Sequence, residues 1–417
     1  MPTSERRYGV WLGSDRIGTL NQRGDYTWFA FTEEHLDDPD RPMLGLIFEQ
    51  EPRLRHANAM RLPPWFSNLL PEGRLREWIA EDRRVSADRE MELLAQVGHD
   101  LPGAVRVLAE DSPPDDLWDP GAAKADPYAD RQLSDDHGPG WRFSLAGVGL
   151  KFSMLQRGDR LTLPAYGEGG DWIVKFPDPD YADVPRNEAA MMSLAAAAGV
   201  DVPEHRLVHR DLLDPALPKQ VWPSSEVYAY AVRRFDRGDD RHRIHIEDFA
   251  QVRNCYPHAK YQANVETLAA LIYRRHDLSA LREFVRRMTV NILISNGDAH
   301  LKNWSLIYRD PRRPTLSPAY DLVSTALYRV ASGPEDLGLK FHGTRRFERI
   351  SLDTFAWLEN KINAPGAQLV DCVVETARRV RAAWPETADR LSNCTALLDG
   401  ITASINTRFD TLLGGRS

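Results

Sequence analysis

The stretch SNGDAHLKNW at 295–304 carries the residues best suited to chemistry in this chain. Asp298 and Asn303 stand five positions apart, the Asp-x4-Asn spacing at which an aspartate takes a hydroxyl proton and an asparagine holds Mg²⁺ during phosphoryl transfer. A further carboxylate, Asp321, follows 18 positions later in LSPAYDLVS, behind an apolar strand-like lead-in that would deliver it to the same cleft as a second oxygen ligand. Taken singly, each of these residues is equally at home as a turn or capping group. Phosphotransfer also needs a cation and a cradle for phosphates. Lys175, alone in the apolar WIVKFP, has the usual context of a lysine that pairs with α- and β-phosphates. Glu188, in the next helix, could orient it, although the helix dipole also favours an acid there. In SLAGVGLK, 144–151, the amides around Gly147 and Gly149 could approach phosphate oxygens. Arg233, Arg234 and Phe235 would cross behind a base, with backbone groups meeting its edge and Phe235 as an apolar wall.

The elements that must position these groups can be read from periodicity. Tyr8, Val10 and Leu12, then Ile17 and Thr19, then Tyr26, Trp28 and Ala30 alternate between turn-rich GSD and QRGD, which predicts a β-meander. Helical spacing takes over from about 65 to 95, so an α+β unit over 1–108 is expected. The Pro-, Gly- and Asp-rich stretch 109–140 predicts a connection. A nucleotide-binding lobe is expected over 141–262, with strands at 172–176 and 227–235 and the helix NEAAMMSLAAAAGV between them. Residues 263–417 predict a mostly α-helical lobe. There Leu281, Phe284, Val285, Met288 and Ile292 lie on one helix face, and Leu398, Ile401, Ile405, Phe409 and Leu412 on another. HIEDFAQ, 245–251, is expected to be a helix start with Glu247 and Asp248 in its first turn.

Length and composition limit the function classes. With 417 residues, 42% hydrophobic and 27% charged, the chain has material for more than one core and is not globally disordered. A net charge of −8 argues against non-specific DNA binding by the whole surface. Three cysteines, Cys255, Cys372 and Cys394, lack metal-ligand spacing and suggest neither a disulfide framework nor a zinc site. MPTSERRYGVWLG has no apolar signal core, and AAMMSLAAAAGV is too short to span a bilayer, so a cytoplasmic protein is expected.

Several motifs in one order resemble the HipA-type serine/threonine kinases of bacterial toxin–antitoxin systems: NLLPEGRLRE, GHDLPGAVRV, SLAGVGLKFS, WIVKFP, VRRFDR, HIEDFAQ, KY, NGDAHLKNWS and LSPAYDL. The resemblance spans nearly the whole chain. It implies a two-lobed, protein-kinase-like α+β fold with an extra N-terminal α+β subdomain. It implies ATP and Mg²⁺ as cofactors, Asp298 as catalytic base, and Asn303 and Asp321 as Mg²⁺ ligands. The phosphate cradle would be Ala146, Gly147, Val148, Gly149, Leu150 and Lys151, with Lys175 on the phosphates. Arg233, Arg234 and Phe235 would meet the adenine, and His300, Lys302 and Tyr320 the nucleotide side of the loop. Ser144 would be the autophosphorylated serine that ejects the loop. The implied partners are a helix-turn-helix antitoxin of the HipB type, DNA only through that antitoxin, and a protein substrate, expected to be an aminoacyl-tRNA synthetase; no membrane is involved. Two positions depart from the family pattern: Gly149 replaces a glutamine, and Arg233 stands where the hinge often carries an acid. Added freedom at Gly149 would weaken ordered nucleotide binding by roughly 0.5–1 kcal/mol. Aminoglycoside and choline kinases share the loop spacing, and an inactive kinase fold serving as transcriptional co-repressor is the rival of another class.

Overall fold

The structure is a computed structural model describing residues 5–110, 150–164, 169–328 and 335–414. The expected meander forms β1 (Glu5–Leu12), β2 (Asp15–Arg23) and β3 (Tyr26–Phe31). This N-terminal unit continues with α1 (Glu33–Asp37), β4 (His56–Ala59), α2 (Pro64–Ser67), α3 (Gly73–Asp82), α4 (Glu90–Val97) and β5 (Val105–Ala109). Its antiparallel sheet runs β4-β3-β2-β1-β5. Nearly all of the connection expected over 109–140 lies outside the described residues.

A second antiparallel sheet contains β6 (Lys151–Arg157), β7 (Arg160–Thr162), β8 (Trp172–Lys175), β9 (His205–His209) and β10 (Tyr228–Arg233), in the order β7-β6-β8-β10-β9. The long helix α5 (Val184–Ala197) links β8 to β9. Strand β9, HRLVH, was not legible in the sequence because its polar residues mask the alternation. Both faces of this sheet are covered. Ala229 and Ala231 pack into one apolar cluster with Val10, Leu75 and Ile79 of the N-terminal unit, whereas Tyr230 and Val232 pack into a second cluster with the helices. The period of two in a strand thereby joins the N-terminal unit and the helical lobe to opposite faces.

The remaining elements form a small sheet, β11 (His245–Asp248), β12 (Ser305–Tyr308) and β13 (Thr315–Leu316), and six helices. These are α6 (Phe249–Val252), α7 (Val265–Tyr273), α8 (Leu278–Leu293), α9 (Leu352–Lys361), α10 (Leu369–Asp389) and α11 (Thr395–Leu413). The predicted stripe on α8 is buried throughout. On α11 the stripe is also buried, except that Leu398 is only partly covered. At HIEDFAQ a helix does start, but neither acid lies in its first turn. Asp248 caps α6 in a reciprocal pair with Gln251, but Glu247 precedes the cap in β11 and is wholly buried. Among the described residues no helix is long and apolar enough to cross a membrane.

Several polar joints fix the N-terminal unit to the rest. Arg234 and Arg237 bind Asp236 and reach across to Asp100 at 3.2 and 2.8 Å, and the Gly103 amide donates to Asp236 at 2.7 Å. Burial alone would raise the pKa of Asp100 and Asp236, but Arg234 and Arg237 outweigh it and hold both carboxyls well below the usual range. Glu247 makes another joint. It accepts from the Leu46 amide at 3.0 Å, the Trp65 indole at 3.2 Å and the Tyr308 hydroxyl.

Candidate active site

The site lies in a cleft of ≈ 320 Å³ bounded by the second sheet, the 295–304 loop and the N-terminal unit. Strand β8 alternates, so Val174 enters the core while Lys175 faces the cleft, as its place in the cleft lining requires. The Lys175 ammonium lies 2.5 Å from Glu188 of α5 and also binds Asp321. Burial disfavours its charge, but the two carboxylates outweigh that and push the pKa above the usual lysine value. Asp321, also opposed by burial, is held down at about 2 by Lys175 and Lys151. Lys151, opposite Lys175 across the sheet, is lowered to about 8, chiefly by burial.

Asp321 has a φ of +55°, in the left-handed region that side chains other than glycine seldom adopt. Its segment is secured from behind by Asn187 of α5, whose amide donates to Ser324 O at 2.8 Å and whose oxygen accepts from Ser324 N at 3.1 Å. The 295–304 loop turns at Ser295, also left-handed at +52°. Gly297 is required there by close approach, since a Cβ would come within 1.7 Å of Glu335 and 2.6 Å of the Asp336 carbonyl. Asn296 accepts from the Asp298 amide at 3.0 Å, and Asn303 Nδ2 donates to the Asp298 carbonyl at 2.8 Å. That second bond turns the Asn303 amide hydrogens inward on the loop and leaves Oδ1 as its acceptor atom for a ligand. Asp298 accepts from the Tyr261 hydroxyl and is 42% exposed, so its carboxylate remains accessible. His300 Nε2 stands 3.9 Å from Asp298, and burial lowers its pKa to about 4, which keeps the ring neutral.

The other expected ligand-binding residues divide. Phe235 and Tyr320 line the cleft together, their rings 5.7 Å apart, and the Tyr320 hydroxyl donates to the Lys302 carbonyl at 3.0 Å. Arg233 and Arg234 border the cleft, but their guanidinium groups are engaged elsewhere. Arg233 binds Asp239 at 2.7 Å in a half-exposed position, and Arg234 is sequestered in the Asp100–Asp236 cluster. Their amides donate to Glu204 O and Asp171 O, so contacts from the amides of these two residues to a base are pre-empted. Lys302 also differs from expectation: its ammonium is committed to Glu72 and the Asn68 carbonyl. The Leu150 carbonyl accepts from the Phe176 amide, which ties that residue to the sheet. Ser144, Ala146, Gly147, Val148 and Gly149 lie outside the described residues.

Sequence reasoning missed Tyr261, Asn187 and Glu72 as site residues, although KY and NLLPEG were visible as motifs. Among the described residues no group of three or more His, Cys, Asp or Glu is arranged to hold a metal. The donor set nevertheless suits Mg²⁺: Asp321 offers a carboxylate and Asn303 an amide oxygen, and phosphate oxygens would complete a hard, oxygen-only shell.

Residues 8–108 match the HipA N-terminal domain family, and residues 143–384 match the HipA-like C-terminal domain family. The chain is 40% identical over 407 residues to Y4dM of Sinorhizobium fredii, a candidate kinase by name, with 94% of each chain covered. It is 28% identical over 292 residues to the serine/threonine-protein kinase toxin HipA of Shewanella oneidensis, covering 63% of this chain and 62% of that one. The solved structure of the Shewanella oneidensis HipA, HipB and operator DNA complex aligns with a TM-score of 0.73 at 20% identity, over 98% of this chain and 97% of that one.

Proposed function

The chain belongs to the HipA family of toxin kinases, and from that premise we propose that it transfers the γ-phosphoryl group of ATP to a serine or threonine of another protein. The observation that carries this reading is the convergence on one cleft of Asp298, Asn303, Asp321 and the Lys175–Glu188 pair. The substrate hydroxyl would lie against the exposed carboxylate of Asp298. As its oxygen bonds to the γ-phosphorus, the bond from that phosphorus to the β,γ-bridging oxygen breaks, ADP leaves with the electron pair, and Asp298 takes the proton. Tyr261 holds one carboxylate oxygen and leaves the other for the hydroxyl. Lys175, kept cationic by Glu188, would meet the α- and β-phosphates, exchanging its contact with Asp321 for them. Asp321 and Asn303 would then hold Mg²⁺, which when bound neutralises phosphate charge. Ile173, Val232, Phe235 and Tyr320 supply the apolar walls for a base. The buried His300 Nδ1, which has no hydrogen-bond partner among the described residues, supports a polar ligand atom in the cleft.

The finer reading follows the family. The protein substrate is proposed to be an aminoacyl-tRNA synthetase, Ser144 the site of autophosphorylation, and the partner a HipB-like helix-turn-helix antitoxin. The Shewanella protein's structure with HipB and operator DNA supports the last of these, with DNA reached through the antitoxin. The test is incubation with radiolabelled Mg·ATP, alone and with the host's tRNA synthetases, beside Asp298→Asn. Loss of the base should reduce transfer about 10²–10⁴-fold. Asparagine can still accept from Tyr261, so nucleotide binding should persist. Label on a synthetase band, and on Ser144 of the enzyme itself, is the expected result. Near-normal transfer by Asp298→Asn refutes the assignment of the base, and ATP binding without protein labelling favours a small-molecule kinase or a co-repressor.

A further inference from the structure

We infer that Glu72 of the N-terminal unit is a positioning residue for the catalytic loop, so that this unit completes the phosphotransfer site; the inference rests on the kinase reading above. Glu72 occupies the N-cap position of α3, yet its side chain makes no capping bond. Its carboxylate reaches instead to Lys302 at 2.6 Å and Lys260 at 3.1 Å. The Lys302 ammonium also donates to the Asn68 carbonyl at 3.0 Å. These groups are shielded from water, with side-chain exposures of 15% for Glu72, 12% for Lys260 and 5% for Lys302. Burial works against the Glu72 charge, but the two ammonium groups hold its pKa at about 2.

Both lysines belong to the machinery that presents Asp298 and Asn303. Lys302 lies between them on the single turn Leu301–Asn303. The Lys260 carbonyl accepts from the Leu301 amide at 3.0 Å, and Lys260 directly precedes Tyr261, whose hydroxyl binds Asp298. Glu72 therefore bridges the two segments on which the base depends. Its own platform is anchored, because Asn68 donates to Pro64 O at 2.8 Å and to Cys255 O at 2.7 Å. Without the Glu72 carboxylate two neighbouring ammonium groups are left close together in a dry site, and their repulsion is relieved by moving the loop or Lys260, or by one lysine losing a proton, which also removes its hold on the loop. A shift of either segment changes where Asp298 stands relative to Asn303, whereas the Lys175–Glu188 pair is untouched.

The experiment uses the full chain and compares Glu72→Gln and Glu72→Asp with the wild type. Mg·ATP and the labelled synthetase mixture report kcat and the ATP KM, and hydrogen–deuterium exchange reports on residues 298–303. Glu72→Gln should lower kcat about 10–100-fold with the ATP KM unchanged within about twofold, as expected for loss of alignment without loss of nucleotide affinity. Exchange over 298–303 should rise. Glu72→Asp, which keeps the charge at shorter reach, should recover part of both and serves as the informative variant if Glu72→Gln does not fold. A kcat within about twofold of wild type, or unchanged exchange in the loop, overturns the inference. If the wild type itself transfers no phosphate, the kinase reading fails, and loop exchange alone then decides whether Glu72 holds the loop.

Discussion

Glu247→Gln would remove a titrating carboxyl from the seam between the N-terminal unit and the helical lobe. In the folded protein this side chain is wholly buried among the Leu46 amide, the Trp65 indole and the Tyr308 hydroxyl. Burial, only partly offset by those three donors, raises its pKa from 4.5 to about 7. A carboxyl whose folded pKa exceeds its unfolded value keeps its proton more tightly in the native state. Its contribution to stability is therefore complete below about pH 4.5, declines as the pH rises towards 7, and is constant above that. The shift corresponds to roughly 3 kcal/mol, most of it lost between about pH 5 and pH 8. Glutamine does not titrate, but it sets an NH2 group against donors, which costs about 1–3 kcal/mol at every pH. That constant cost cancels when the two pH values are compared. The assay is denaturant unfolding of both proteins at about pH 5 and pH 8, followed by tryptophan fluorescence with Trp65 in the seam. Relative to wild type, Glu247→Gln should gain roughly 2–3 kcal/mol on going from the lower to the higher pH. A difference that is the same at both values, within about 0.5 kcal/mol, would refute the claim that this carboxylate is buried without a balancing cation.

Tyr261→Phe removes the hydroxyl that holds Asp298 and leaves the ring in place. Steady-state kinetics should give a kcat reduced roughly tenfold, the scale of one hydrogen bond to a charged group, with the ATP KM little changed. Asp100→Asn leaves Arg234, Arg237 and Arg243 with Asp236 as their remaining carboxylate in the cluster. Thermal unfolding should show a loss of about 3–5 kcal/mol, and a loss below about 1 kcal/mol would mean that water enters the cluster.

The residues legible beforehand are those whose roles follow from spacing along one element. The face of α8 repeats every three or four residues, so Leu281, Phe284, Val285, Met288 and Ile292 declare a helix and its buried side. Asp298, Asn303, Asp321, Lys175 and Glu188 could be proposed as a set because each stands in a short motif, and the structure brings them to one cleft. Arg234 looked like part of the same strand end, yet its guanidinium turns to Asp100, 134 positions earlier in the chain. Nothing local distinguishes an arginine that faces a ligand from one that closes an interface.

What the sequence by itself determined is therefore the inventory of chemistry and the elements that carry it, because helix and strand periods depend on neighbours a few positions away. The tertiary structure decided which charges meet. Glu72 and Lys302 lie more than two hundred residues apart, and each taken singly is an ordinary surface residue; docking of the N-terminal unit beneath the loop makes them a shielded pair. Glu247 likewise looked like a first-turn acid and became the buried acceptor of three donors. Burial sets the energy of a charge, and burial is a property of the packed units that no spacing along the chain records.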